Sequence, residues 1–162
     1  MCKWLSIVLG IAGCAGLLPA QSTQEYTGPH PPKPDLPYLI HADNLVPTEA
    51  LEAKQENRKG DVIYVIAGAN STARTPLASP AFLVQPEQLQ ADHIQLYHLQ
   101  SKGGQRELLF RHRNKVAAQP IRLHITRVSE GLYKIEVDEM LENGEYSLSP
   151  SDSNQVFCFQ VY

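Results

Sequence analysis

Beyond residue 14 this 162-residue chain has one cysteine, Cys158, so that stretch cannot close an internal disulfide, and a cysteine-stapled scaffold is excluded. Neither sign of charge dominates. Fourteen Lys and Arg stand against 17 Asp and Glu, for a net charge of −3, which lacks the basic footprint of a nucleic-acid binder. The one long apolar run, Trp4 to Leu18, falls short of the ~20 residues that a bilayer-spanning helix needs. No Gly-x-Ser-x-Gly elbow, Gly-x-Gly-x-x-Gly fingerprint, phosphate loop or His-Glu-x-x-His pair occurs. The chain therefore carries no motif for nucleophilic, nucleotide or zinc chemistry, and no cofactor is implied.

What is present at the start of the chain has the build of a secretory signal over residues 1–20: Lys3 beside the start, an uncharged apolar stretch, and small residues at its close. Cleavage after Ala20 would leave Gln21 as the new terminus. A second reading is open. Ile11-Ala12-Gly13-Cys14 is similar to a bacterial lipobox, in which Cys14 would be acylated and the protein tethered to a membrane. Against it, the apolar stretch ahead of the box is short, and Ala15-Gly16-Leu17-Leu18 beyond it is not a polar tether. Ordinary cleavage fits the residues better.

Residues 21–37 are polar and dense in proline, with Pro29, Pro31, Pro32, Pro34 and Pro37 close together. Each proline fixes φ and removes a donor, so a disordered or polyproline II leader is expected. A single domain should follow over 38–162, long enough for one core. Strand signals dominate it. Asp61–Ala67, Pro80–Val84, His93–Leu99, Arg106–Arg111, Ile121–Thr126, Tyr133–Asp138, Glu145–Leu148 and Val156–Val161 are short, alternating or β-branched runs. Gly103-Gly104 reads as a hairpin turn. Residues 48–56 have helix-forming composition. Their position ahead of the Val62 run favours an extended edge strand. The expectation is all-β, a single antiparallel β-sandwich.

Ser129-Glu130-Gly131 reads as a three-residue hairpin loop with a bulge at the glycine. That register sets Ile125 opposite Ile135 and Leu123 opposite Val137, with His124 facing Glu136 and Arg122 facing Asp138. In the last strand Phe157, Phe159 and Val161 should face the core, and Cys158 the opposite side as a small buried hydrophobe. Leu141-Glu142-Asn143-Gly144-Glu145-Tyr146 resembles the Leu-x-x-Gly-x-Tyr corner of fibronectin-type sandwiches. Together with Thr75–Pro80 and the run from Gly144 to Phe159, it is similar to parts of uncharacterised secreted bacterial proteins with a fibronectin- or immunoglobulin-like sandwich. The resemblance implies export and a sandwich, and brings no activity with it.

Candidate chemistry is sparse. His93 and His98 would point to opposite faces of a strand, which is wrong for a shared metal. His41 and Asp43 make an ordinary polar surface pair, and Asp152-Ser153-Asn154 lacks the glycine and closing glutamate of a calcium loop. Lys102, Arg106, Arg111, Arg113, Lys115, Arg122 and Arg127 crowd one stretch that only Glu107 opposes, while the C-terminal quarter is acidic. Arg106, Arg111, Arg113 and Lys115 are thus candidates for a face that meets an anionic partner such as acidic polysaccharide or lipid headgroups. The competing explanation is neutralisation between neighbouring strands.

These readings combine into an exported, non-enzymatic interaction or accessory module of the cell envelope or exterior. Its partner would be envelope polysaccharide or another envelope protein, with no nucleic acid, and with a membrane only if Cys14 is lipidated. The alternative is a secreted hydrolase or metal-dependent enzyme whose site is assembled from loops. Fold alone does not decide between them.

Overall fold

The computed structural model describes residues 26–110 and 118–162, with thirteen strands and one short 3₁₀ turn at Ala91–His93. The first strands are β1 (Tyr38–His41), β2 (Asn44–Pro47), β3 (Glu49–Glu52), β4 (Lys54–Arg58), β5 (Asp61–Ala67), β6 (Arg74–Thr75) and β7 (Ala81–Val84). The remainder are β8 (Ile94–Lys102), β9 (Gln105–Phe110), β10 (Leu123–Ser129), β11 (Leu132–Val137), β12 (Gly144–Pro150) and β13 (Gln155–Val161). They form two packed sheets, in the orders β10-β11-β7-β1-β2 and β3-β13-β12-β8-β9-β5-β4. Pairing is antiparallel throughout, except that the two-residue β6 runs parallel to β13. The all-β antiparallel sandwich expected from the strand pattern is what the chain forms.

The second sheet has a further property. Its end strands, β3 and β4, are one stretch of chain interrupted only at Ala53, yet β3 pairs with β13 while β4 pairs with β5. The sheet therefore rolls back on itself. β8 makes a matching change of partner: Ile94 to Leu99 pair with β12, and Gln100 to Lys102 pair with β9. With side chains alternating at period two, the rolled sheet supplies two cores. One face sends Leu96, Tyr146, Leu148, Phe157 and Phe159 against Leu39, Phe82, Val84 and Ile135 of the other sheet. The opposite face sends Ala53, Ile66, Tyr97, Leu99, Leu108, Val156 and Cys158 into the interior of the roll. This explains why β13 reads Val-Phe-Cys-Phe with hardly a polar interruption: both of its faces are buried. Phe159 packs edge-on to Phe82, ring centres 5.0 Å apart, and stacks on Tyr146 at 5.5 Å.

The expected hairpins form. Gly103 and Gly104 take φ of +61° and +81°, as a tight turn with two left-handed residues requires, and Lys102 pairs with Gln105. In β10–β11, Ile125 faces Ile135, Leu123 faces Val137 and His124 faces Glu136. The turn differs by one residue. Ser129 pairs with Leu132, so the loop is Glu130-Gly131, and the register shift sits between Arg127 and Ser129. Leu123 and Ile125 are only half-buried because β10 is an edge strand. Glu136 takes Lys134 of its own strand as ion partner, at 2.6 Å. The 48–56 stretch is extended, because pairing with β13 and β5 overrides its helix-forming composition.

One expectation changes, and one element is new. The leader, expected to be disordered or polyproline II through residue 37, is docked over its last residues. Pro31 and Pro37 are buried, and Leu36 packs on the sandwich core. Asp35 N–H donates to the Gln85 carbonyl at 3.0 Å, and Asp35 Oδ1 accepts from the N–H groups of Glu87, Gln88 and Leu89. Proline excludes a ladder strand here, but it does not prevent one aspartate from capping a loop. The domain edge also contains an unforeseen hairpin, β1–β2, whose turn uses Ala42 at φ +53°. An alanine there gives no turn signal. The resemblance to a tyrosine corner has its counterpart in Tyr146 Oη, which donates to the Glu142 carbonyl at 2.8 Å.

Candidate functional site

The basic face loses its first member. Arg106 has no exposed side-chain surface, because alternation along β9 sends it into the roll two residues before Leu108. Its Nε donates to the Gly68 carbonyl at 3.0 Å and one terminal nitrogen to the Ala67 carbonyl at 2.6 Å. The other donates to Ser71 Oγ at 2.6 Å and to Glu49 Oε2 at 2.8 Å, with Glu145 Oε2 3.7 Å away. Glu145 Oε2 in turn accepts from the N–H and the hydroxyl of Ser71. A charge withdrawn from water needs this kind of saturation, so Arg106 ties β9, β3, β12 and the 67–71 loop together rather than meeting a partner. Of the other candidates, Arg111, Arg113 and Lys115 lie outside the described residues, as do Cys14, Ala20 and Gln21.

The remaining sequence candidates are dispersed. His93 ends the 3₁₀ turn, whereas His98 stacks on Tyr146 with ring centres 4.9 Å apart. Glu107 points away from Arg106 and pairs with Arg58 at 2.7 Å. That guanidinium, with help from the Gln105 amide, holds its carboxyl below the usual range. Cys158 is fully buried, and burial pushes its thiol up to about 12 despite the pull of Arg106, so it stays protonated and unreactive. Among the described residues, no group of three or more His, Cys, Asp or Glu side chains is placed to hold a metal ion, and no helix is long and apolar enough to cross a membrane.

The Arg106 cluster fills one level of the roll's interior. Along the same strands the registers Ser147–Tyr97 and Tyr64–Leu108 mark the next level, where the interior opens into a cleft. Its volume is about 530 Å³, within the ~300–1,000 Å³ range of small-molecule sites. Ala53, Ile66, Leu108 and Val156 form its floor, and Tyr64 and Tyr97 stand beside it. Among the described residues the wall holds buried Ser147, and the rim carries Gln95, Ser149, Ser151, Ser153, Asn154 and one carboxylate, Asp152. Tyr97 Oη donates to Gln95 Oε1 at 2.5 Å, and the Ser147 and Ser149 hydroxyls are 3.1 Å apart. Burial, assisted by Tyr64, raises the Tyr97 phenol above its ordinary range, which holds it neutral as a hydrogen-bonding group. A second depression, lined by Ala50, Leu51, Glu52 and Gln155, shares Ser153 and Asn154 with the cleft.

Sequence reasoning did not find this cleft. A partial signal was present in Ser147 and Ser149, one strand period apart on β12, but only the rolled sheet makes that side an interior. Comparison of the chain with family models, with curated proteins and with solved structures gives no match.

Proposed function

We propose that this protein is an exported, non-enzymatic binding module of the cell envelope or exterior, with the cleft at the open end of the rolled sheet as its binding seat. The cleft carries the reading: it has a preformed apolar floor, a convergent polar rim and a volume suited to a small ligand or the end of a larger one. Among the described residues its titratable groups are two tyrosines and Asp152, and burial makes Tyr97 a poorer proton donor and nucleophile rather than a better one. Export rests on the N-terminal segment and on the resemblance to secreted bacterial proteins with fibronectin- or immunoglobulin-like sandwiches. A Cys14 acyl group would make the module membrane-tethered instead.

A thermal-shift screen against saccharides, fatty acids, amines and short peptides tests the reading. At least one class should raise the melting temperature. The rim substitution Ser151→Trp, at an exposed position, should abolish that shift while leaving the unliganded melting temperature unchanged. No stabilising ligand, or ligands that act equally on Ser151→Trp, would remove the cleft as the seat of function.

A further inference from the structure

We infer that the β10 edge of the first sheet is a second binding surface, separate from the cleft, which takes an extended acidic–apolar segment of a partner protein as a further strand. Among the described residues the sheets end unequally. The end strands of the second sheet, β3 and β4, join through Ala53 as the sheet rolls back on itself. In the first sheet β2 is four residues long and closes with Pro47, which has no N–H to offer. β10 is seven residues long, contains no proline or lysine, and among the described residues pairs in this sheet with β11 alone. Such an edge templates further pairing unless something guards it. The register irregularity between Arg127 and Ser129 guards only its C-terminal end.

The ladder fixes which backbone groups face outward. Asp138 N–H donates to the Arg122 carbonyl at 3.2 Å, while Val137 N–H turns the other way, to the Pro80 carbonyl at 3.3 Å. Backbone groups alternate along an antiparallel strand, and Leu123 lies opposite Val137. Leu123, Ile125 and Arg127 therefore present their N–H and C=O groups away from β11, at the spacing of a strand. Side chains set what that strand carries. Leu123 and Ile125 pack on the sandwich core yet stay half-buried, so apolar residues at alternate positions of an added strand complete their cover. On the outer face Arg122 and His124 are exposed, as is Arg127 at the end of the run. Among the described residues neither arginine has a carboxylate within ion-pair distance. Acidic residues at the intervening positions meet these basic groups, and opposite charges paired across strands stabilise a sheet. The same rule disfavours a second copy as occupant: β10 against β10 would bring basic groups together, and β2 carries no acid.

Amide exchange read by NMR on the protein beginning at Gln21 tests the inference. Without ligand, the Leu123, Ile125 and Arg127 amides should exchange about tenfold or more faster than those of His124 and Thr126. Slow exchange at all five would mean that the edge is already covered, by this chain or by a second copy, and overturns the inference. The probes are heptapeptides that alternate glutamate with valine, leucine or phenylalanine. At least one should slow the three outward amides about tenfold or more, and its lysine-for-glutamate counterpart should bind about tenfold more weakly. Methylating the backbone nitrogens of its apolar residues, which lie opposite Leu123 and Ile125, should abolish the protection, because strand addition depends on main-chain bonds. Arg122→Ser and His124→Ser, both at exposed positions, should each weaken binding about two- to fivefold. Ser151→Trp at the cleft should leave it unchanged, so the two surfaces stand or fall separately. No protection by any glutamate peptide, protection that survives methylation, equal binding of the lysine peptide, or loss of binding in Ser151→Trp each overturns the inference.

Discussion

Arg106→Met tests whether the buried arginine is a structural tie. The substitution keeps an unbranched side chain of similar reach and removes the guanidinium. Lost with it are the hydrogen bonds to the Ala67 and Gly68 carbonyls, to Ser71 and to Glu49. Left behind is Glu145, 4% exposed, with one carboxylate oxygen already without a partner among the described residues. Removing one member of a buried charge pair costs about 3–5 kcal/mol, mostly from the charge it strands. Against the roughly 5–15 kcal/mol that holds a typical domain, that is enough to bring this fold near its threshold. Urea unfolding at pH 7, followed by far-UV circular dichroism, should show the midpoint falling with an unchanged slope. Adding Glu145→Gln to Arg106→Met should recover part of the loss, since the stranded group is then neutral, giving a coupling of about 1–3 kcal/mol in a double-mutant cycle. A single-variant cost under about 1 kcal/mol, or additive effects of the two changes, would refute the tie and return Arg106 to the pool of surface candidates.

Mass spectrometry of exported protein should find an N-terminus at or near Gln21 without acyl mass, and an acylated Cys14 would show tethering instead. Phe157→Ala or Phe159→Ala should each cost about 3–5 kcal/mol in the same unfolding assay, because both rings lie wholly within the sandwich core. Cys158 in protein beginning at Gln21 should resist a thiol reagent at pH 8 until the domain unfolds, and prompt labelling of folded protein would contradict its burial. For Asp35, burial opposes ionisation but the three loop N–H groups outweigh it, so its folded carboxyl sits below the ordinary range. The docked leader should therefore be held in full above about pH 4, the unfolded value, and be released as pH falls through the lower folded value. Amide exchange at Glu87, Gln88 and Leu89 should quicken over that acid range in the parent, and be fast at every pH in Asp35→Ala. Exchange indifferent to both changes would mean that Asp35 does not hold the leader.

Local chemistry by itself determined the all-β character, most strand positions and the β10–β11 register, because alternation and glycine turns act over a few residues and Ile125 must find Ile135 whatever surrounds them. The opposed faces of Phe157 and Cys158 were legible for the same reason. The destination of Cys158's face was not, since period two separates two sides of a strand without saying what covers either. That depended on the sheet rolling up at Ala53 and within β8, a closure made by pairings between β3 and β13 and between β4 and β5. Only that closure turned Arg106 from a surface cation into an interior tie, since a strand's charged residue is buried or solvated according to what lies across from it. The same closure gathered serines from the end of β12 and the turn after it, tyrosines from β5 and β8, and an asparagine from that turn around one opening. Side chains so far apart in sequence share no local pattern, so their convergence belongs to the tertiary structure alone.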